Sequence, residues 1–308
     1  MSLGTSTRGH TAGRTADGGP RPGPVRAFLR LVMIEHSVFA LPFAYLAALT
    51  AMFPTVRWGT LGLITVAMVA ARTFAMALNR IVDRRLDAEN PRTAQRELVT
   101  GAVPLRTAIT GTAVALAVFL SVCAALGPLC LLLAPLALVP LCVYPYAKRF
   151  TWSCHAILAL AQAVAPVAAW IAVTGEWSWA AVALGLGVGL WIGGFDLIYA
   201  LQDVAADRRN GVHSLPVRFG PEIALRVSTA AHVVTFALFG LFGFLEDFTG
   251  WWYAGLLLTA LAFGYEHAVV KADDLSRVNR AFFTANGFVG IALFGFGLVD
   301  LLSRGLRL

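Results

Sequence analysis

Charge is scarce in this chain of 308 residues. Asp, Glu, Lys and Arg together make up 13% of it, apolar residues 58%, and the mean hydropathy is +0.73. A soluble domain is about a quarter charged, so this composition offers too little polar surface to face water on every side and argues for a chain embedded in a membrane. Cysteine is scarce as well. Cys123, Cys130, Cys142 and Cys154 all lie in or beside apolar runs, with no Cys-x-x-Cys spacing, which gives neither a disulfide framework nor a zinc site. The first 25 residues lack the apolar core of a secretory signal; rich in Gly, Thr, Pro and Arg, they read as a disordered basic cytoplasmic tail ahead of a membrane domain over 26–308. Acidic residues are outnumbered, for a net charge of +7 and a pI near 9.7. That excess does not indicate nucleic acid, because the basic residues sit in short loops between apolar runs, as membrane topology requires.

Nine apolar runs are present, each roughly 18–25 residues, the length that crosses ~30 Å of hydrocarbon as a helix. They cover approximately 27–53, 60–78, 105–126, 129–146, 154–173, 179–201, 224–245, 251–270 and 281–302. The expectation is an all-α, polytopic membrane protein. Pro135, Pro140 and Pro166 fall inside runs, where kinks are tolerated because neighbouring helices satisfy the freed carbonyls. Lys and Arg concentrate on one side: the tail, Arg80 to Arg106, Lys148-Arg149, Arg208 to Arg218 and Lys271 to Arg280. The other side keeps only Arg57, Arg304 and Arg307. The positive side is cytoplasmic by the charge rule, and Trp58, Trp177, Trp179, Trp251 and Trp252 form an aromatic belt at the far interface.

At the cytoplasmic end of the second run stand Asn79, Asp83 and Asp87, at i, i+4 and i+8. Positions four apart stack turn upon turn, so one helix face presents an amide and two carboxylates. The sixth run ends in a second such face, Asp196, Tyr199, Asp203 and Asp207, on the same side of the membrane. Hard oxygen donors suit Mg²⁺, which binds through a few carboxylates together with substrate phosphates. Asn79, Asp83, Asp87, Asp203 and Asp207 are therefore the expected metal ligands. Arg80, Arg92, Arg96, Lys148 and Arg149 are candidates for phosphate oxygens. Together they make a cage that holds a diphosphate as leaving group, with an apolar bundle beside it for a lipid tail.

Other polar residues inside the runs carry weaker expectations. Asp196 lies two turns deeper than Asp203; a carboxylate at that depth is costly, and orienting an acceptor or taking a proton would account for it. Tyr199 suits a phosphate hydrogen bond or the shielding of a cation by its ring face. Glu35 and His36, and likewise His155, are candidates for acceptor recognition or for a buried hydrogen-bonded pair. His232 and the pair Glu266-His267 read as packing or interfacial residues.

These blocks carry a family resemblance. The segment 79–87 followed by Asn90-Pro91-Arg92-Thr93 resembles the first motif of the UbiA superfamily of intramembrane aromatic prenyltransferases. The segment 196–207 resembles the second, and Tyr144-Pro145-Tyr146-Ala147-Lys148-Arg149 resembles the basic loop after the family's fourth helix. The likeness spans roughly residue 31 to the C-terminus. It implies nine helices around a central cavity with a lateral opening to lipid, and Mg²⁺-dependent transfer from a polyprenyl diphosphate to an aromatic acid. With the charge bias, the expectation is a multi-pass plasma-membrane protein with its active site facing the cytoplasm. His155, the run 165–175, His213-Ser214-Leu215-Pro216 and Asn279-Arg280-Ala281-Phe282-Phe283 resemble the branch used in the futalosine route to menaquinone, whose acceptor would be 1,4-dihydroxy-6-naphthoate. One alternative keeps the chemistry and changes the acceptor to 4-hydroxybenzoate. Another class of function, a secondary transporter with a cation site, would need ionisable groups near the bilayer midplane, whereas most acids here lie at one edge.

Overall fold

A computed structural model describes residues 40–275 and 278–308 together with Phe28 and Leu31; the side chains of 279–284 lie outside the description. So do the expected N-terminal tail and the candidates Glu35 and His36. Among the described residues the fold is entirely helical. In chain order the helices are α1 (Leu41–Met52), α2 (Trp58–Glu89), α3 (Leu105–Leu126), α4 (Pro128–Ala147), α5 (Cys154–Thr174) and α6 (Trp179–Ala200). A single 3₁₀ turn (Leu201–Asp203) leads to α7 (Val204–Arg209) and α8 (Leu215–Phe219), followed by α9 (Pro221–Leu245), α10 (Gly250–Val269) and α11 (Val278–Ser303).

Each of the nine apolar runs therefore corresponds to a helix, the first described only from Leu41. Among the described residues seven helices are long and apolar enough to cross a membrane. Helix α10 is not one of them, although it has 20 residues; Trp251, Trp252, Tyr253, Tyr265, Glu266 and His267 dilute its apolar content. The internal prolines stay within α4 and α5 without ending either helix. The outer surface is apolar in a way water would not tolerate: Leu132, Leu136, Val233 and Phe244 are all more than half exposed, as expected of a lipid-facing wall.

The core is lopsided. Its large ring cluster, Phe43, Trp191, Phe239, Phe242 and Trp252, joins α1, α6, α9 and α10 and is fully buried. Trp58, Trp177, Trp179 and Trp251 are exposed as a belt requires. Trp252 is not; contrary to expectation it points inward and its indole N–H donates to Phe239 O at 3.1 Å. At the far end of the bundle, Asp300 Oδ2 caps α10, accepting from Thr249 N, Thr249 Oγ1 and Trp252 N at 2.8, 2.7 and 3.1 Å.

Helices α5 and α6 pack closely because α6 presents Gly185, Gly189 and Gly193 at every fourth position. A Cβ on Gly185 would lie 2.4 Å from Ala163 O, and one on Gly189 2.3 Å from Ala159 O. Small residues at such spacing let membrane helices approach backbone to backbone. The stripe ends where Gly193 meets His155, so it sets the register in which the cytoplasmic ends of α5 and α6 face each other.

Candidate active site

The acidic face of the first motif forms because α2 runs as one uninterrupted helix of 32 residues from the membrane through Glu89. Nothing between Trp58 and Glu89 is Gly-Pro or Pro, so the 3.6-residue period survives to Asp87. Asp83 is almost completely buried, and Lys148 and Arg149 close over it. Lys148 Nζ is in direct contact with Asp83 Oδ2, and Arg149 Nη1 lies 3.3 Å from Oδ1. Arg149 also donates to Pro145 O and Val82 O, at 2.6 and 2.8 Å, which ties the end of α4 to α2. One turn on, Asp87 accepts from Arg96 at 2.5 Å.

The second face meets the first through the loop after α2. Arg92 grips Asp203 with two bonds, Nε to Oδ1 at 2.8 Å and Nη2 to Oδ2 at 2.5 Å, while its Nη1 donates to Tyr199 Oη at 3.1 Å. Its guanidinium also lies 5.0 Å from the Tyr199 ring centroid, and Asn90 Nδ2 adds a bond to Asp203 Oδ1 at 3.0 Å. Burial pulls the Arg92 pKa down, but the hydrogen bonds and charge of Asp203 outweigh it and hold the guanidinium above its ordinary value. Asp207 belongs to the same electrostatic neighbourhood, within range of Asp203, Lys148, Arg92 and His155. The two acidic faces thus converge.

Among the described residues no three Asp, Glu, His or Cys side chains are drawn into a ready metal cage. Like charges repel, and each of Asp83, Asp87 and Asp203 instead takes a cationic side chain. These residues nevertheless fit a divalent ion. They offer only hard oxygens, and among the described residues Asn79 Oδ1 is buried with no hydrogen-bond partner, an amide oxygen whose pairing is incomplete there. Arg80 is also buried, and its Nε is turned toward Leu31 O at 3.5 Å.

Behind the acidic tips lies an apolar cavity of about 440 Å³ between α2, α3, α4, α5 and α6. Its few polar walls are Arg72, Asn79, Tyr144 and Gln162. Asn79 connects the cavity to the carboxylate face. Tyr144 is within electrostatic reach of both Asp83 and Asp196. Arg72 stands two turns inside the bundle from Asn79, and among the described residues its Nε is buried without a partner. Sequence reading singled out neither Arg72 nor Gln162, although a lone cation and a lone amide within apolar runs were the available signal.

Deeper residues divide into two groups. Asp196 pairs with His155, Oδ2 to Nδ1, at 2.7 Å. His232, Glu266 and His267 lie apart from the cavity and close a network of their own. In it His232 Nδ1 is 2.9 Å from His267 Nε2, while Asn286 donates to Glu266 at 2.7 Å and accepts from Trp191 at 2.7 Å.

Comparison with known proteins follows the same outline. The family model described as UbiA prenyltransferase family matches residues 40–288. A 4-hydroxybenzoate octaprenyltransferase of Pseudomonas fluorescens is 30% identical over 242 residues, covering 78% of this chain and 80% of that one. The apo structure of a UbiA homolog from Aeropyrum pernix superposes with a TM-score of 0.77 at 35% identity, over 86% of this chain and 98% of that one. A UbiA homolog from Archaeoglobus fulgidus, solved with GPP and Mg²⁺, shares the fold with a TM-score of 0.72 at 21% identity, over 90% and 99%.

Proposed function

The chain belongs to the UbiA prenyltransferase family, and from that premise we propose that it joins a polyprenyl group to 1,4-dihydroxy-6-naphthoate at the cytoplasmic face of the plasma membrane. It is a prenyltransferase, and the transporter alternative lapses. The observation that carries the donor half is the convergence of two carboxylate faces, clamped by Arg92, above an apolar cavity. A diphosphate head needs cations and a prenyl tail needs a dry wall, and the fold puts the two side by side.

Asn79, Asp83, Asp87, Asp203 and Asp207 are the residues that would hold Mg²⁺, which when bound supplies positive charge against the diphosphate oxygens. Arg92, Arg96, Lys148 and Arg149 exchange carboxylate partners for phosphate oxygens, and so neutralise charge as the allylic C–O bond breaks. The apolar walls keep water from the allylic cation. In the cavity, Arg72 supplies a cation for the acceptor's carboxylate. The ring then attacks the allylic carbon, and loss of a ring proton restores aromaticity.

The naphthoate is favoured by the residue pattern around His155 and His213; 4-hydroxybenzoate is favoured by the name of the Pseudomonas relative. Purified protein given one long-chain prenyl diphosphate, Mg²⁺ and each acid in parallel decides between them. Faster prenylation of the naphthoate is expected. Faster prenylation of 4-hydroxybenzoate overturns the acceptor assignment. Chelation with EDTA is expected to stop turnover, and added Mg²⁺ to restore it.

A further inference from the structure

Between His155 and Thr174, Gln162 is the one side chain of α5 that can both donate and accept a hydrogen bond. It lines the cavity, is half-buried, and among the described residues makes no hydrogen bond. A glutamine inside a membrane bundle ordinarily bonds across to a neighbouring helix; this one faces the cavity. An unpaired amide in apolar surroundings is costly, and a ligand group that pairs with it accounts for its presence. Pro166, four residues on, has no N–H to give the Gln162 carbonyl. A backbone acceptor therefore stands beside the amide.

The surroundings of Gln162 are built from small side chains. Ala161, Ala165 and Ala168 flank it on α5, and Ala71 and Ala75 stand on the α2 wall of the same cavity. Methyl groups on both helices leave the cavity its width. Depth follows from helix rise. Helix α5 starts just past Lys148, which touches Asp83, so α2 and α5 share a level at the cytoplasmic tips. From that level, at 1.5 Å per residue, Gln162 lies about 12 Å inward along α5, while Asn79 lies about 6 Å and Arg72 about 16 Å inward along α2. Gln162 thus falls between the amide at the carboxylate face and the cation deeper in the cavity. A prenyl tail brings no hydrogen-bonding atom to that depth; a hydroxylated ring does.

Resting on the prenyl-transfer reading above, with Arg72 as the partner of the acceptor's carboxylate, we infer that Gln162 binds a ring hydroxyl of the acceptor and selects the dihydroxylated naphthoate over 4-hydroxybenzoate. The naphthoate carries its two hydroxyls on the ring remote from the carboxylate. Anchored on Arg72, that ring extends past Gln162 toward Asn79 and the allylic carbon. The amide N–H donates to one hydroxyl oxygen, and that O–H donates to the amide oxygen or to the carbonyl freed by Pro166. Being neutral, Gln162 does not compete with Arg72 for the carboxylate. 4-Hydroxybenzoate brings one hydroxyl instead of two and leaves the amide unpaired. A pocket built to pair a hydroxyl rejects an analogue lacking it more strongly than an apolar pocket rejects a change of size.

The test uses full-length protein in nanodiscs, Mg²⁺ and one long-chain prenyl diphosphate, and measures kcat/KM for both acids in wild type and in Gln162→Met, which keeps the length of the side chain and removes its hydrogen bonds. Comparing the change in the two acids cancels their intrinsic reactivities. Gln162→Met is expected to lose about 10–100-fold in kcat/KM on the naphthoate, to keep the wild-type value on 4-hydroxybenzoate, and to leave the donor KM and the melting point unchanged. Gln162→His, which again donates and accepts, is expected to recover part of the loss. An equal fall on both acids would show a packing role, and an unchanged preference would show no role; either overturns the assignment of Gln162 while the acceptor reading stands. A wild type that prefers 4-hydroxybenzoate overturns both, and one that prenylates neither acid sinks the prenyl-transfer reading itself, so the failures are distinguishable.

Discussion

Asp83 is nearly inaccessible yet ringed by two cations, and a buried ion pair of that kind is weak evidence of a stabilising role. Asp83→Ala and Asp203→Ala are expected to abolish turnover while leaving the protein inserted and monodisperse; a product assay beside gel filtration checks both halves of that statement. Arg92→Lys keeps the charge but loses the fork that grips both oxygens of Asp203 and the Tyr199 hydroxyl. Loss of charge-assisted bonds worth about 1.5–3 kcal/mol predicts a 10–100-fold rise in the donor KM. Arg72→Ala is expected to raise the acceptor KM by a similar factor, about 10–100-fold, with the donor KM nearly unchanged, measurable by varying each substrate in turn. The acidic faces were legible in the sequence because helix periodicity is local: Asn79, Asp83 and Asp87 need only an unbroken α2 to align. The grip of Arg92 on Asp203 was not, since it joins residues 111 apart. Nor does spacing give the inward turn of Trp252, because a run of adjacent tryptophans fixes depth but not the rotation of the helix about its own axis.

Helices here are fastened by devices that a hydropathy pattern does not display. Gly189 faces the backbone of α5, where any side chain would collide with Ala159 O. Gly189→Val is expected to cost about 1–3 kcal/mol, as overpacking does, and to lower activity by moving His155 away from Asp196; thermal unfolding in detergent and turnover should fall together. At the opposite end of the bundle, Asp300 satisfies three donors at the start of α10. Asp300→Ala leaves them short of a partner, for a loss of about 1–3 kcal/mol. Because the cavity is remote, kcat measured below the lowered melting point is expected to match wild type. The apolar runs announced the helices themselves, but the 3₁₀ turn at Leu201–Asp203, which separates Asp203 from the regular end of α6, leaves no mark in composition.

For the molecule as a whole, the distribution of positive charge predicts that the loops around Arg92, Lys148 and Arg208 face the cytoplasm. Arg208→Cys, in a background where the native four cysteines are replaced, is expected to react with an impermeant maleimide only after cells are opened, whereas Trp177→Cys reacts in intact spheroplasts. The reverse pattern would put the site on the other leaflet. Membrane embedding was legible from the scarcity of charge, and the helical class from the lengths of the apolar runs. The division into a ring-packed half and a hollow half was not, because it depends on which faces of α5 and α6 meet.

The mutual pairing of acids and bases at the cytoplasmic tips has a consequence for the order of events. A donor-free site of this kind is already balanced in charge, so the diphosphate enters by swapping ionic partners and not by filling a void. Arg92 holds Asp203 and the Tyr199 hydroxyl together, so a group that displaces Asp203 from the guanidinium also bears on Tyr199.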